Sequence, residues 1–172
     1  MDKAEDLKKL KADLIAKVGE DKKVCGLQLT AADHLSNKVQ TVTMSFLQGG
    51  KLLEQEFTDG KLDSAKELAS VYQTDSWLKN KQGSIGLKDL DFEKIAAHYA
   101  EAIKMIPEGY SGQSMNNYSF IADNKNNLQT EFLIEGTKNG EAKKTTRSTI
   151  TTNYYEFKFK NGNDGKLALL EE

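Results

Sequence analysis

Proton transfer, nucleophilic attack and metal binding call for histidine, cysteine or paired carboxylates. This chain offers few of them: His34, His98, Cys25 and the closely spaced Glu54 and Glu56. A zinc centre needs four ligands, and a single cysteine with no His-x-x-x-His pair does not supply the spacing. No metal or cofactor is therefore expected, and no catalytic residue is assigned. A Cys25–His98 pair would need an activated thiolate within hydrogen-bond reach of the imidazole. Cys25 instead belongs to the alternating set Cys25, Leu27 and Leu29, which predicts a small buried hydrophobe. Glu54 and Glu56 share one face of a strand, whereas acid–base hydrolysis requires two carboxylates in one cleft with separated pKa values. His98 borders a helical apolar stripe between Ile95 and Ala102 and is expected to pack its ring there. His34 lies in Asp33-His34-Leu35-Ser36-Asn37, which predicts a solvated turn. The glycines at 49, 50, 60, 140, 162 and 165 lack any Gly-x-Gly-x-x-Gly or Gly-Lys-[Ser/Thr] pattern, so they read as turn glycines rather than a phosphate loop.

Two other features bear on binding. In the segment Thr145–Asn153 the odd positions, Thr145, Arg147, Thr149, Thr151 and Asn153, are all polar. Such a face is either the solvent side of an antiparallel sheet or a flat surface for a protein or glycan partner. Trp77 sits among polar residues near Tyr72, either anchoring a connector on the core or serving as an exposed contact. Trp77, Arg147, Thr149, Thr151 and Asn153 are the binding residues expected from the sequence. The function expected is non-enzymatic binding or interaction through an open polar β-sheet face. The alternatives are a small-ligand or hydrolytic site in a helix–sheet groove centred on His98 and Tyr99, and a structural module of a larger assembly.

The elements that must position these residues are legible from their periods. Leu7, Leu10, Leu14, Ile15 and Val18 lie on one helical face, and Gly19 is a natural stop, which predicts a helix over 4–18. Cys25, Leu27 and Leu29, then Val42, Met44 and Phe46, then Leu53, Gln55 and Phe57 predict strands of a meander turned at Gly49-Gly50. Ser64-Ala65-Lys66-Glu67 has capping-box form, and a short helix is expected over 63–73, although alignment with residues 165–170 argues for a strand. A polar connector follows to Leu90. Phe92, Ile95, Ala96, Tyr99, Ala102, Ile103 and Ile106 predict a second helix, capped by Asp91 and ended by Pro107 and Gly109. A second meander comes next: Tyr118 and Phe120, then Leu128, Thr130, Phe132 and Ile134, with an Asn139-Gly140 turn. Ile150, Thr152 and Tyr154 are in even phase, but Tyr155, Phe157 and Phe159 are in odd phase. That slip predicts a bulge or bend at Tyr154–Tyr155.

At 172 residues, 38% hydrophobic, the chain can bury a real core, and a net charge of −2 argues against disorder. Neither half carries a basic excess and Arg147 is the only arginine, so nucleic-acid binding is not expected. One cysteine excludes an intrachain disulfide, and no stretch has the length of a transmembrane segment. Residues 1–6 lack a signal peptide's apolar segment, which suits the cytoplasm if Met1 is native. A periplasmic or cell-envelope location fits if a leader was removed.

The fold class expected is α+β: two helix-plus-antiparallel-meander units with both helices packed on one face of an antiparallel sheet. The units span 1–62 and 91–172, joined by a connector at 63–90. Each closes on an Asp-Gly-Lys-Leu phrase, at 59–62 and 164–167. With the helix pair Leu7–Val18 and Phe92–Ile106, this internal repeat resembles the tandem folds typified by β-lactamase-inhibitor protein and doubled PepSY-like periplasmic domains. The disulfides of the inhibitor have no counterpart here. The resemblance implies helices on one face of a sheet, a binding rather than catalytic role, and a location in the bacterial cell envelope.

Overall fold

Helix α1 (Ala4–Val18) forms where the apolar stripe places it, with Leu7 and Leu14 fully covered. Glu5 and Asp6 in its first turn and Lys17 in its last oppose the helix dipole favourably. Gly19 ends it at φ +88°, donating its N–H to Ile15 O at 2.8 Å. The computed structural model describes residues 1–68, 83–141, 144–145, 150–162 and 165–170. After α1 come β1 (Lys23–Val24), β2 (Gly26–Ala31), β3 (Val39–Gln48), β4 (Lys51–Thr58), β5 (Lys61–Leu62), β6 (Lys66–Glu67) and β7 (Ile85–Gly86). A 3-10 turn, Leu87–Asp89, leads into α2 (Glu93–Ala102). The chain then continues through β8 (Tyr110–Ala122), β9 (Leu128–Lys138), β10 (Lys144–Thr145), β11 (Ile150–Thr151), β12 (Tyr155–Asn161) and β13 (Leu167–Leu170).

The main sheet is antiparallel, in the order β13-β12-β9-β8-β2-β3-β4-β5, with β6 also paired to β4. The strands after α1 and those after α2 thus meet where β2 lies beside β8, with Leu27 opposite Phe120 and Leu29 opposite Tyr118. One row of cross-strand partners runs almost the full width: Phe57, Val42, Leu29, Tyr118, Phe132, Phe159 and Leu169. Strand alternation sends this row to one face, where Leu7 and Leu14 of α1 and Ile95 and Ala102 of α2 complete the core. Each fully buried Leu, Val or Phe here contributes about 1.5–3 kcal/mol. The fold is therefore α+β, with the helices on one face of a large antiparallel sheet. No helix is long and apolar enough to cross a membrane among the described residues.

Three local readings differ from the structure or are refined by it. Residues 64–68 are not helical: Lys66 and Glu67 pair with Glu54 and Leu53, and Leu68 N donates to Leu52 O at 3.1 Å. The open edge of β4 offers unpaired backbone groups, and satisfying them outweighs the capping-box signal. The rest of that expected helix, 69–73, lies outside the described residues. Helix α2 is shorter than its apolar stripe. Lys104 and Met105 donate to Glu101 and Ala102, three residues back, as the chain unwinds before Pro107. Its start is as expected, with Asp91 Oδ1 accepting from Glu93 N at 3.1 Å and Lys94 N at 3.3 Å. The phase slip becomes a break at 152–154, between β11, which among the described residues pairs with β10, and β12, in the main sheet.

Candidate functional site: a helix–sheet pocket around His98

Ile95, His98 and Ala102 lie at spacings of three and four, so the α2 face that carries Ile95 and Ala102 into the core carries His98 with them. Its half-buried ring lies over two sheet aromatics, centroid distances being 5.9 Å to Tyr118 and 6.0 Å to Phe132. Both ring nitrogens are engaged. Nδ1 is 2.7 Å from the Tyr118 hydroxyl, and Nε2 is 3.1 Å from Asn161 Nδ2. Burial lowers the pKa of His98 and raises that of Tyr118. The imidazole is thus neutral at neutral pH, and the phenol keeps its proton.

Beside this network is a cavity of about 390 Å³. Asp89, Asp91 and Lys94 come from the start of α2 and the turn before it. Phe120, Leu128, Thr130 and Asn161 come from β8, β9, β12 and the strand ends. Thr130 and Asn161 are direct cross-strand partners, and Thr130 also faces Phe120. Three buried side-chain polar atoms among the described residues have no hydrogen-bond partner: Ser114 Oγ, Thr130 Oγ1 and Asn161 Oδ1. Two of those three belong to residues lining this one cavity. A larger cavity of about 450 Å³ beside Met1, Leu7, Leu10 and Asn37 includes none of the three.

The expected His98–Tyr99 groove divides. The Tyr99 hydroxyl donates to Gln113 O at 2.6 Å and takes no part in the His98 network. Neither His98 nitrogen reaches Cys25, whose side chain is buried. Trp77, Arg147 and Thr149 lie outside the described residues. Thr151 is placed in β11 opposite Lys144, and Asn153 is exposed and donates to Glu141 at 3.0 Å. Glu54 and Glu56 project from β4, Glu54 half-buried and Glu56 exposed. Tyr118, Thr130 and Asn161 were not expected as site residues. The available signal was Thr130, a polar residue in the inward phase of Leu128, Phe132 and Ile134.

His34 makes a second polar cluster rather than a merely solvated turn. Its Nδ1 is 2.7 Å from Glu135 Oε1, and Leu35 N donates to Glu135 Oε2 at 2.8 Å. Tyr154 stacks on the ring at 4.2 Å, its hydroxyl 3.2 Å from Nε2. Glu135 is wholly buried although its strand register points it to the outer face of the sheet, because the loop before β3 folds over it. The hydrogen bond to Glu135 raises the His34 pKa, assisted by Asp33 and Glu156 nearby.

Fold and pocket together define an α+β protein with a polar recess between helix and sheet. The chain matches no protein-family model, no curated protein and no solved structure.

Proposed function

We propose that this protein binds a small polar ligand in the recess beside His98 and does no chemistry on it. The observation that carries this reading is a cavity of about 390 Å³ between helix and sheet, two of whose lining residues, Thr130 and Asn161, carry buried side-chain oxygens with no hydrogen-bond partner. A buried polar atom without a partner costs about 1–3 kcal/mol, so two together weigh against the fold. Recesses of this size with a few convergent polar groups are the usual form of small-molecule sites. Binding is favoured over hydrolysis because both His98 nitrogens are held by neutral partners, which leaves no ring position for proton transfer to a substrate. The test is Thr130→Val, which keeps the side-chain shape and removes the hydroxyl. The variant should be more stable than wild type by about 1 kcal/mol in thermal or urea unfolding. A loss of stability would mean that the hydroxyl serves the fold and would sink the reading.

A second reading is supported by the opposite face of the sheet. There Gln28, Thr43, Asn117 and Ser119 present short uncharged groups at the centre, with Glu56, Glu131, Glu156 and Lys158 around them. This open polar face would suit a protein or glycan partner. Replacing Gln28 and Ser119 by lysine should abolish capture of such a partner while leaving the thermal midpoint unchanged; capture that persists would refute this use of the face.

A further inference from the structure

We propose that residues 32–38, which link β2 to β3, form a strap held shut over Glu135 by a proton on His34. Loss of that proton lets the strap lift from the outer face of the sheet. Three features of the segment carry the inference. Its neck is closed by Ala32 N donating to Lys38 O at 2.9 Å, the form of a compact loop that can move as one piece. Its tip is held down at two places. His34 Nδ1 and Leu35 N meet the two oxygens of Glu135 at 2.7 Å and 2.8 Å, and Asn37 Oδ1 accepts from Met115 N at 2.7 Å, where the pairing of β8 with β9 shifts register. Between these ties Leu35 sits at φ +54°, a left-handed conformation that a bulky residue keeps only while its surroundings impose it.

The latch depends on the charge of His34. Glu135 is wholly buried, and Glu156 stands directly opposite it on β12. A carboxylate there needs a positive partner, because burial removes the water that would offset its charge and the like charge of Glu156 adds to the cost. Protonated His34 is that partner, whereas the neutral ring offers Glu135 only an N–H. Asp33 on the strap and Glu135 and Glu156 on the sheet all favour the charged imidazole, which raises its pKa. Tyr154 stacks on the ring at 4.2 Å, and its hydroxyl, 3.2 Å from Nε2, can give or accept a hydrogen bond and so serves either state. The His34 side chain is exposed, so its proton exchanges with solvent while the fold stays closed. The stabilisation of the closed strap is full below 6.5 and is lost as pH rises through the raised value. Lifting brings water to Glu135 and to Ser114, its buried cross-strand partner.

The experiment is amide hydrogen exchange on the full chain, read by NMR as protection factors from about pH 5.5 to about pH 8.5. Protection at Leu35 and Met115 should fall together over the range in which the imidazole titrates. The fall should be about tenfold for each unit by which closure raises the His34 pKa. Amides of the β2–β8 pairing should keep their protection. His34→Asn and Glu135→Gln should each remove the pH dependence; if Glu135→Gln does not fold, His34→Asn, at an exposed side chain, decides alone. The Met1 amino group donates to Asn37 O and has its pKa lowered by burial, so it is a second titrating group on the strap. A pH dependence that survives His34→Asn would assign the control elsewhere and overturn the inference. Constant protection in the wild type would show a static pair, and a fall at Leu35 without one at Met115 would show His34 moving by itself. Either result overturns the strap, as does a parallel fall at β2 and β8, which would mean global unfolding.

Discussion

His34 and His98 are the two histidines of the chain, and their surroundings push them in opposite directions from the ordinary value of 6.5. Burial against Tyr118 and Phe132 lowers His98, with Glu101 and Asp91 opposing the change and Lys94 adding to it. Its stabilising contribution is therefore present above 6.5 and is lost as pH falls through the lowered folded value. Hydrogen bonding to Glu135 raises His34, so its contribution is full below 6.5 and is lost as pH rises through the raised folded value. Unfolding followed across pH should show that His34→Asn flattens the alkaline side of the stability profile and His98→Asn the acidic side. The opposite assignment would contradict the two environments. Little of this was legible in the sequence. His98 could be placed on the apolar face from Ile95 and Ala102, but Tyr118 and Asn161 reach it from strands 20 and 63 residues further on. Glu135 reads as a solvent-facing strand residue, and only a loop 100 residues earlier buries it.

Elements with a strong internal period were read closely, and those defined by a distant partner were not. The stripe from Leu7 to Val18 gives α1 its bounds, since a helix with one buried face needs no information from elsewhere. Lys66 and Glu67 carry no period at all; they form β6 because β4 has an edge to fill. The slip from even to odd phase at Tyr154–Tyr155 was informative because a strand cannot change its buried face without leaving the sheet. For α2 the two kinds of contribution can be separated by urea denaturation. Ile95→Ala, at a fully buried position, should cost about 2–5 kcal/mol. Asp91→Ala, which removes only the cap at Glu93 N and Lys94 N, should cost about 1 kcal/mol. Equal losses would show that α2 is held by its end rather than by its buried face.

At the scale of the whole molecule, the row from Phe57 to Leu169 passes through β2 and β8 without interruption, so the strands following each helix share one sheet and one core. Unfolding should therefore be a single transition, with circular dichroism and the slowest amide exchange in β2 and β8 reporting the same free energy. Two separated transitions would show that the 1–62 and 91–172 segments are independent units. The β2–β8 pairing also dictates a timetable for biosynthesis. Leu27 must wait for Phe120, 93 residues later in the chain (120 − 27), before its second neighbour exists. Closing so long a loop makes for slow folding, in the range of milliseconds to seconds typical of non-local β topologies. Until residue 120 has left the ribosome, one side of β2 is a row of unsatisfied backbone groups beside Leu27 and Leu29, and the nascent chain is then most exposed to pairing with the wrong strand.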